Sequence, residues 1–88
     1  MKNTIEIEWS KKAFKQVATL PYKARHQVYN GVQSLRQWPE TLNVKALQGR
    51  NDYRLRIGRY RALFTIHPDG TVTVIRIEEV KKRDEHTY

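Results

Sequence analysis

Residues 4–9, TIEIEW, set Ile5, Ile7 and Trp9 against Glu6 and Glu8 in strict alternation, the period of a strand with one buried face. Ser10 is placed to cap a helix over KKAFKQVATL, where Ala13, Phe14, Val17, Ala18 and Leu20 form an apolar stripe and Lys11, Lys12 and Lys15 face water. Pro21 suits the first turn of a second helix. Ala24, Val28, Val32 and Leu35 follow at helical spacing, so residues 21–38 are predicted helical, with Pro39 as the stop. ETLNVKALQGRND shows no sustained period and contains Gly49, Asn51 and Asp52, which predicts an irregular connection with Val44 and Leu47 tucked against the core. Alternation then resumes. Tyr53, Leu55 and Ile57 interleave with Arg54 and Arg56, Gly58 and Arg59 make a tight turn, and Tyr60, Ala62, Phe64 and Ile66 interleave with Arg61, Leu63 and Thr65. Pro68, Asp69 and Gly70 signal another turn, the β-branched TVTVIRIEEV a last strand, and KKRDEHTY a short charged tail.

This order predicts an α+β fold of the form β-α-α-β-β-β, an antiparallel sheet with two N-terminal helices packed on one face. The 88 residues suffice for one domain with one modest core, so residues 1–88 are expected to form a single domain. Trp9 and Trp38 flank the apolar stripes and belong to that core.

The chain has no cysteine, which excludes disulfides and thiolate zinc sites, and His26, His67 and His86 are too scattered to suggest a metal cluster. Chemistry without a metal or other cofactor is expected. The N-terminal residues lack the apolar run of a signal peptide, and no stretch approaches the roughly 18 apolar residues of a membrane span, so a cytoplasmic protein without membrane contact is expected. Seventeen Lys and Arg against nine Asp and Glu give a net charge of +8, which favours a polyanionic partner, nucleic acid before acidic protein.

Position sharpens the charge argument. Alternation puts Arg54 and Arg56 on one strand face and lets Arg61 join them from the neighbouring strand. Like charges packed across a sheet are destabilising unless an anion bridges them, so this is a candidate anion clamp. Lys45, Arg50 and Arg59 extend the basic set, with Asp52 the one acid between Lys45 and Leu63. His86 lies close to the basic run near the C-terminus and is the histidine best placed as an acid or base. His26 is expected on the exposed side of the second helix and His67 at a turn. Glu78, Glu79, Asp84 and Glu85 are expected to pair with neighbouring cations, Asp84 and Glu85 also being placed to orient a base.

IEWSKKAFKQVATLP, NVKALQGRNDYRLRIGRYRALF and VIRIEEVKKRD with a final Tyr resemble, in order and over essentially the whole chain, the RelE/ParE superfamily of toxins from type II toxin–antitoxin systems. The combination of K-x-L-x-G, Y-R-L-R-x-G-x-Y-R and a basic run after the last strand carries the resemblance. It implies a fold like microbial ribonucleases and, on the RelE branch, a ribosome-dependent mRNA endoribonuclease that blocks translation. Such an enzyme cleaves mRNA in the ribosomal A site without a metal, the RNA's own 2′-hydroxyl attacking the adjacent phosphate. Carried over residue by residue, the resemblance implies Arg54 and Arg56 on the second strand, Arg61 on the third, either Lys82 or Arg83, and Tyr88 as catalytic residues. Lys45, Arg50, Arg59, Lys81 and His86 are then expected to bind substrate. Arginines stand here where some members carry lysines; arginine clamps phosphate well and accepts protons poorly, which leaves the proton acceptor unassigned. The resemblance also implies a cognate antitoxin as partner, with operator DNA bound only as the toxin–antitoxin complex. Two other functions share the pattern: a ParE-like gyrase poison, and a nonenzymatic module that binds nucleic acid or antitoxin.

Overall fold

The computed structural model describes residues 4–41, 43–47 and 52–82. The elements run β1 (Thr4–Trp9), α1 (Lys11–Ala18), α2 (Tyr22–Gln33), a 3-10 turn (Ser34–Gln37), β2 (Val44–Ala46), β3 (Asp52–Ile57), β4 (Tyr60–Asp69) and β5 (Val72–Lys82). They build a five-stranded sheet in the order β1-β5-β4-β3-β2. The α+β class and the antiparallel β3-β4-β5 meander agree with the sequence pattern. β1 does not fit an all-antiparallel sheet: it lies parallel to β5, Thr4 opposite Val72 and Trp9 opposite Ile77, because the two helices carry the chain across before the meander begins.

Ser10 joins β1 to α1. Its Oγ accepts the Ala13 N–H at 3.0 Å and donates to the Glu78 carbonyl at 2.9 Å, while its own N–H donates to the Ile77 carbonyl at 2.9 Å. One buried serine thus caps the helix and locks it to β5. The second helical segment is shorter as an α-helix than its periodicity suggests. It tightens into the 3-10 turn after Gln33, and Trp38 turns extended before Pro39, the conformation that a residue preceding proline prefers.

The expected irregular connection contains β2, in which Lys45 pairs with Arg54. β4 runs through Pro68 to Asp69, so the β4–β5 turn is Gly70–Thr71 and His67 sits in a strand rather than a turn. β5 continues through Lys81 and Lys82, which are therefore strand residues and not tail.

The core lies between the sheet and the helices. Val28, Val32 and Leu35 meet Leu55, Ala62, Phe64, Ile75 and Ile77, all nearly or fully buried. Phe64 also meets Tyr53 in a stack at 5.4 Å and the edge of Trp38 at 5.8 Å. Trp9 and Trp38 pack against this core, as do Val17, Leu20 and Val44. Phe14 does not: 66% of it is exposed, because α1 sits beside β5 and turns that flank of its apolar stripe outward. Among the described residues no helix is long and apolar enough to cross a membrane.

Candidate active site

The face of the sheet turned away from the helices is built by register. Arg56 lies directly opposite Arg61, and Arg61 directly opposite Lys81, so three cations stand in one row across β3, β4 and β5. The adjacent row reads Lys45, Arg54, Leu63 and Glu79 across β2 to β5. Side chains directly opposite on one face have Cβ atoms roughly 4.5–5.5 Å apart, so these charges are mutual neighbours. The arginine face expected from alternation is present, and β2 adds Lys45 to it.

Two features mark these rows as unsatisfied. Arg56 and Arg61 are like charges at a cross-strand pair, which costs stability. Arg54 Nε is a buried side-chain nitrogen that finds no hydrogen-bond partner, a penalty on the order of 1–3 kcal/mol.

The opposite end of the same face is neutralised. Arg76 reaches Glu8 at 3.7 Å and Glu78 at 3.5 Å, and the Thr65 hydroxyl donates to Glu78 at 3.1 Å and lies 2.7 Å from His67 Nε2. These are exposed ion pairs of little energetic weight, and they offset the positive charge at that end of the face.

The other site residues expected from sequence fall as follows. Arg59 is exposed at the apex of the β3–β4 turn, beside the rows and outside them. Lys82 lies opposite Tyr60 and so projects to the helix side, whereas Lys81 joins the arginines; register, which alternation in a supposed tail does not reveal, makes the distinction. Arg50, Arg83, His86 and Tyr88 lie outside the described residues, as do Asp84 and Glu85. His26 is exposed on α2 and meets Tyr22 edge to face.

Glu79 was expected only as a surface partner. Its side chain is 18% exposed, with Lys81 Nζ at 3.2 Å and Lys12 Nζ of α1 at 3.5 Å. Burial alone would push its carboxyl pKa up; the Lys81 hydrogen bond and the charges of Lys12 and Lys81 outweigh that and hold it below the ordinary glutamate value. A register shift between Leu63 and Phe64 sets its position: Leu63 pairs with Glu79 and Phe64 with Ile77, so Glu78 is the extra residue of a bulge and Glu79 faces the cation rows.

On the helix side, between β1 and the helical pair, lies a groove of about 660 Å³ floored by Ile7, Trp9, Phe14, Val17, Tyr22 and Tyr29 and rimmed by Arg25 and Arg36. The exposed large hydrophobics Phe14, Tyr22 and Tyr29 all line it.

A mixed five-stranded sheet behind an N-terminal helical pair is the fold of solved RelE and YoeB/ParE toxin structures. Three solved structures show the agreement. The toxin–antitoxin complex RelBE2 from Mycobacterium tuberculosis matches at TM-score 0.71 and 23% identity, over 94% of this chain and 100% of that one. The archaeal RelE–RelB complex from Pyrococcus horikoshii matches at 0.71 and 24%, over 93% and 98%. The YoeB/ParE toxin from Agrobacterium tumefaciens matches at 0.72 and only 9%, over 90% and 99%. No protein-family model and no curated protein matches the sequence.

Proposed function

We propose that this protein is the toxin of a type II toxin–antitoxin system, acting in the cytoplasm as a metal-independent, ribosome-dependent mRNA endoribonuclease. The observation that carries the reading is the row Arg56, Arg61, Lys81 with Arg54, whose Nε has no hydrogen-bond partner, beside it. Cleavage through a 2′-hydroxyl places extra negative charge on a pentacoordinate phosphorus, and fixed cations on an open face stabilise that charge more than the ground state. A gyrase poison binds its target without making such a phosphorane and gives these rows no chemical task. Similar folds solved as toxin–antitoxin complexes support an antitoxin as partner. The groove fits its docking: residues 10–39 contain no acid and six Lys or Arg, so a segment with an apolar stripe and acidic flanks matches both floor and rim. Binding of operator DNA then belongs to the complex and not to the toxin alone.

The test is primer extension on mRNA from translating ribosomes, with Arg61→Ala and ribosome-free mRNA as controls. Cuts in the A-site codon that require both the ribosome and Arg61 are expected. Intact mRNA from folded, growth-inhibiting protein would sink the reading and direct the work to a gyrase assay.

A further inference from the structure

We propose that Glu79 is the proton acceptor of the cleavage site, taking the 2′-hydroxyl proton of the nucleotide whose phosphate lies over Arg56, Arg61 and Lys81. The assignment rests on the ribonuclease reading and deepens it.

The cleavage step needs a base, and the arginines of the cation rows cannot supply one. Arginine does not give up its proton at working pH, and among the described residues of the two rows Glu79 is the single carboxylate. Its placement suits the task. Lys81, two residues on and facing the same side, ties Glu79 to the Arg56–Arg61–Lys81 row, while Leu63 directly opposite keeps it clear of Arg54. Strands lie about 4.8 Å apart, so Arg54 and Glu79 stand about 10 Å apart with the apolar Leu63 side chain between them, room for a ribose but too far for a direct ion pair.

In the proposed step the Glu79 carboxylate accepts the 2′-hydroxyl proton as O2′ bonds to phosphorus. The P–O5′ bond breaks with its electron pair on O5′, which takes a proton from solvent water. The products are a 2′,3′-cyclic phosphate and a 5′-hydroxyl end. The groups facing Glu79 are Lys12 from α1, Lys81 and Glu78 from β5, Arg61 and, beyond Leu63, Arg54. Their net positive charge keeps the carboxylate ionised and ready at neutral pH.

A purely architectural role makes a different prediction, because Glu79 also ties α1 to β5 through Lys12. The experiment compares single-turnover cleavage on programmed ribosomes for the wild type, Glu79→Gln, Glu79→Ala with and without added formate, Lys12→Met and, as a control for lost surface charge, Glu8→Gln. Under the proposal Glu79→Gln loses roughly 100-fold or more in rate, the scale of a missing general base. Formate then restores part of the Glu79→Ala rate, Lys12→Met loses far less than Glu79→Gln, and Glu8→Gln stays within a few fold of wild type. The rate of the wild type also falls on acidification as Glu79 is protonated, a limb absent from Glu79→Gln.

Glu79→Gln within threefold of wild type, or Lys12→Met reproducing the whole loss without rescue by formate, overturns the assignment while leaving the ribonuclease reading standing. Wild-type protein that cuts nothing overturns both. Melting curves of each variant separate a lost base from a lost fold, and formate rescue reports only on folded molecules.

Discussion

Arg54 shows a side chain held at a cost to the fold. Its neighbour on β2 is Lys45, its Nε is buried and unpaired, and the carboxylate of the same row is screened from it by Leu63. Arg54→Leu removes both the repulsion and the unsatisfied donor, so a stabilisation of about 1 kcal/mol is expected, or roughly 4–8 °C in Tm for a chain this small. The same change is expected to abolish mRNA cleavage; a variant that melts lower and still cuts would refute the clamp. Glu79 carries the complementary pH prediction. Its folded pKa lies below the unfolded value, so its stabilisation is fully present above the ordinary glutamate pKa and is lost as pH falls through the folded value. The difference in Tm between wild type and Glu79→Gln should therefore be present at pH 7 and shrink on acidification below about pH 4.3. The arginine face was legible in the sequence because alternation alone assigns Arg54, Arg56 and Arg61 to one side. The role of Glu79 was not, nor was the facing of Lys81, already expected to bind substrate, since both facings depend on a bulge opposite Leu63 and on β5 running past Val80, and neither leaves a mark in local periodicity.

Among the elements, the α1 connection concentrates the most bonding in one residue. Ser10→Ala deletes the N-cap and leaves the Glu78 carbonyl without its hydroxyl donor, an expected loss of about 2 kcal/mol in chemical denaturation. α2 approaches β3 closely at Gly31, where a Cβ would lie 2.7–2.8 Å from the Ile57 side chain. Gly31→Ala should therefore cost about 1–3 kcal/mol through overpacking, against the gain of under 1 kcal/mol that alanine brings to an unconstrained helix position. A stabilised Gly31→Ala would mean that Ile57 has room to move aside. Gly58, at positive φ in the β3–β4 turn, follows directly from its turn signal. The helices, the hairpin and the last strand were readable because each spans several periods of its own pattern. β2 was not, because three residues show too little alternation to stand out, and the parallel pairing of β1 with β5 is a long-range choice that no local pattern encodes.

At the scale of the whole molecule, charge and apolar surface are separated onto two sides. The sheet face carries the Arg56–Arg61–Lys81 row; the groove between β1 and the helices offers Trp9, Phe14, Tyr22 and Tyr29 with a cationic rim. On the proposed function, polyanion binding and protein docking depend on different residues and should respond differently to mutation and salt. On that reading Tyr29→Asp places a carboxylate on the groove floor opposite an acidic-flanked segment, and the affinity for a cognate antitoxin is expected to fall 10- to 100-fold in calorimetry. Cleavage of mRNA by the free variant should be unchanged, because the sheet face is untouched. Arg61→Ala should show the reverse, losing cleavage and retaining most antitoxin affinity. Raising salt from 50 to 300 mM is expected to weaken ribosome binding steeply, since phosphate contacts release counterions, and to weaken antitoxin binding only in part, since the aromatic floor is not screened. Unchanged antitoxin affinity in Tyr29→Asp, together with loss of that affinity in Arg61→Ala, would place the partner on the sheet face instead and merge the two surfaces into one.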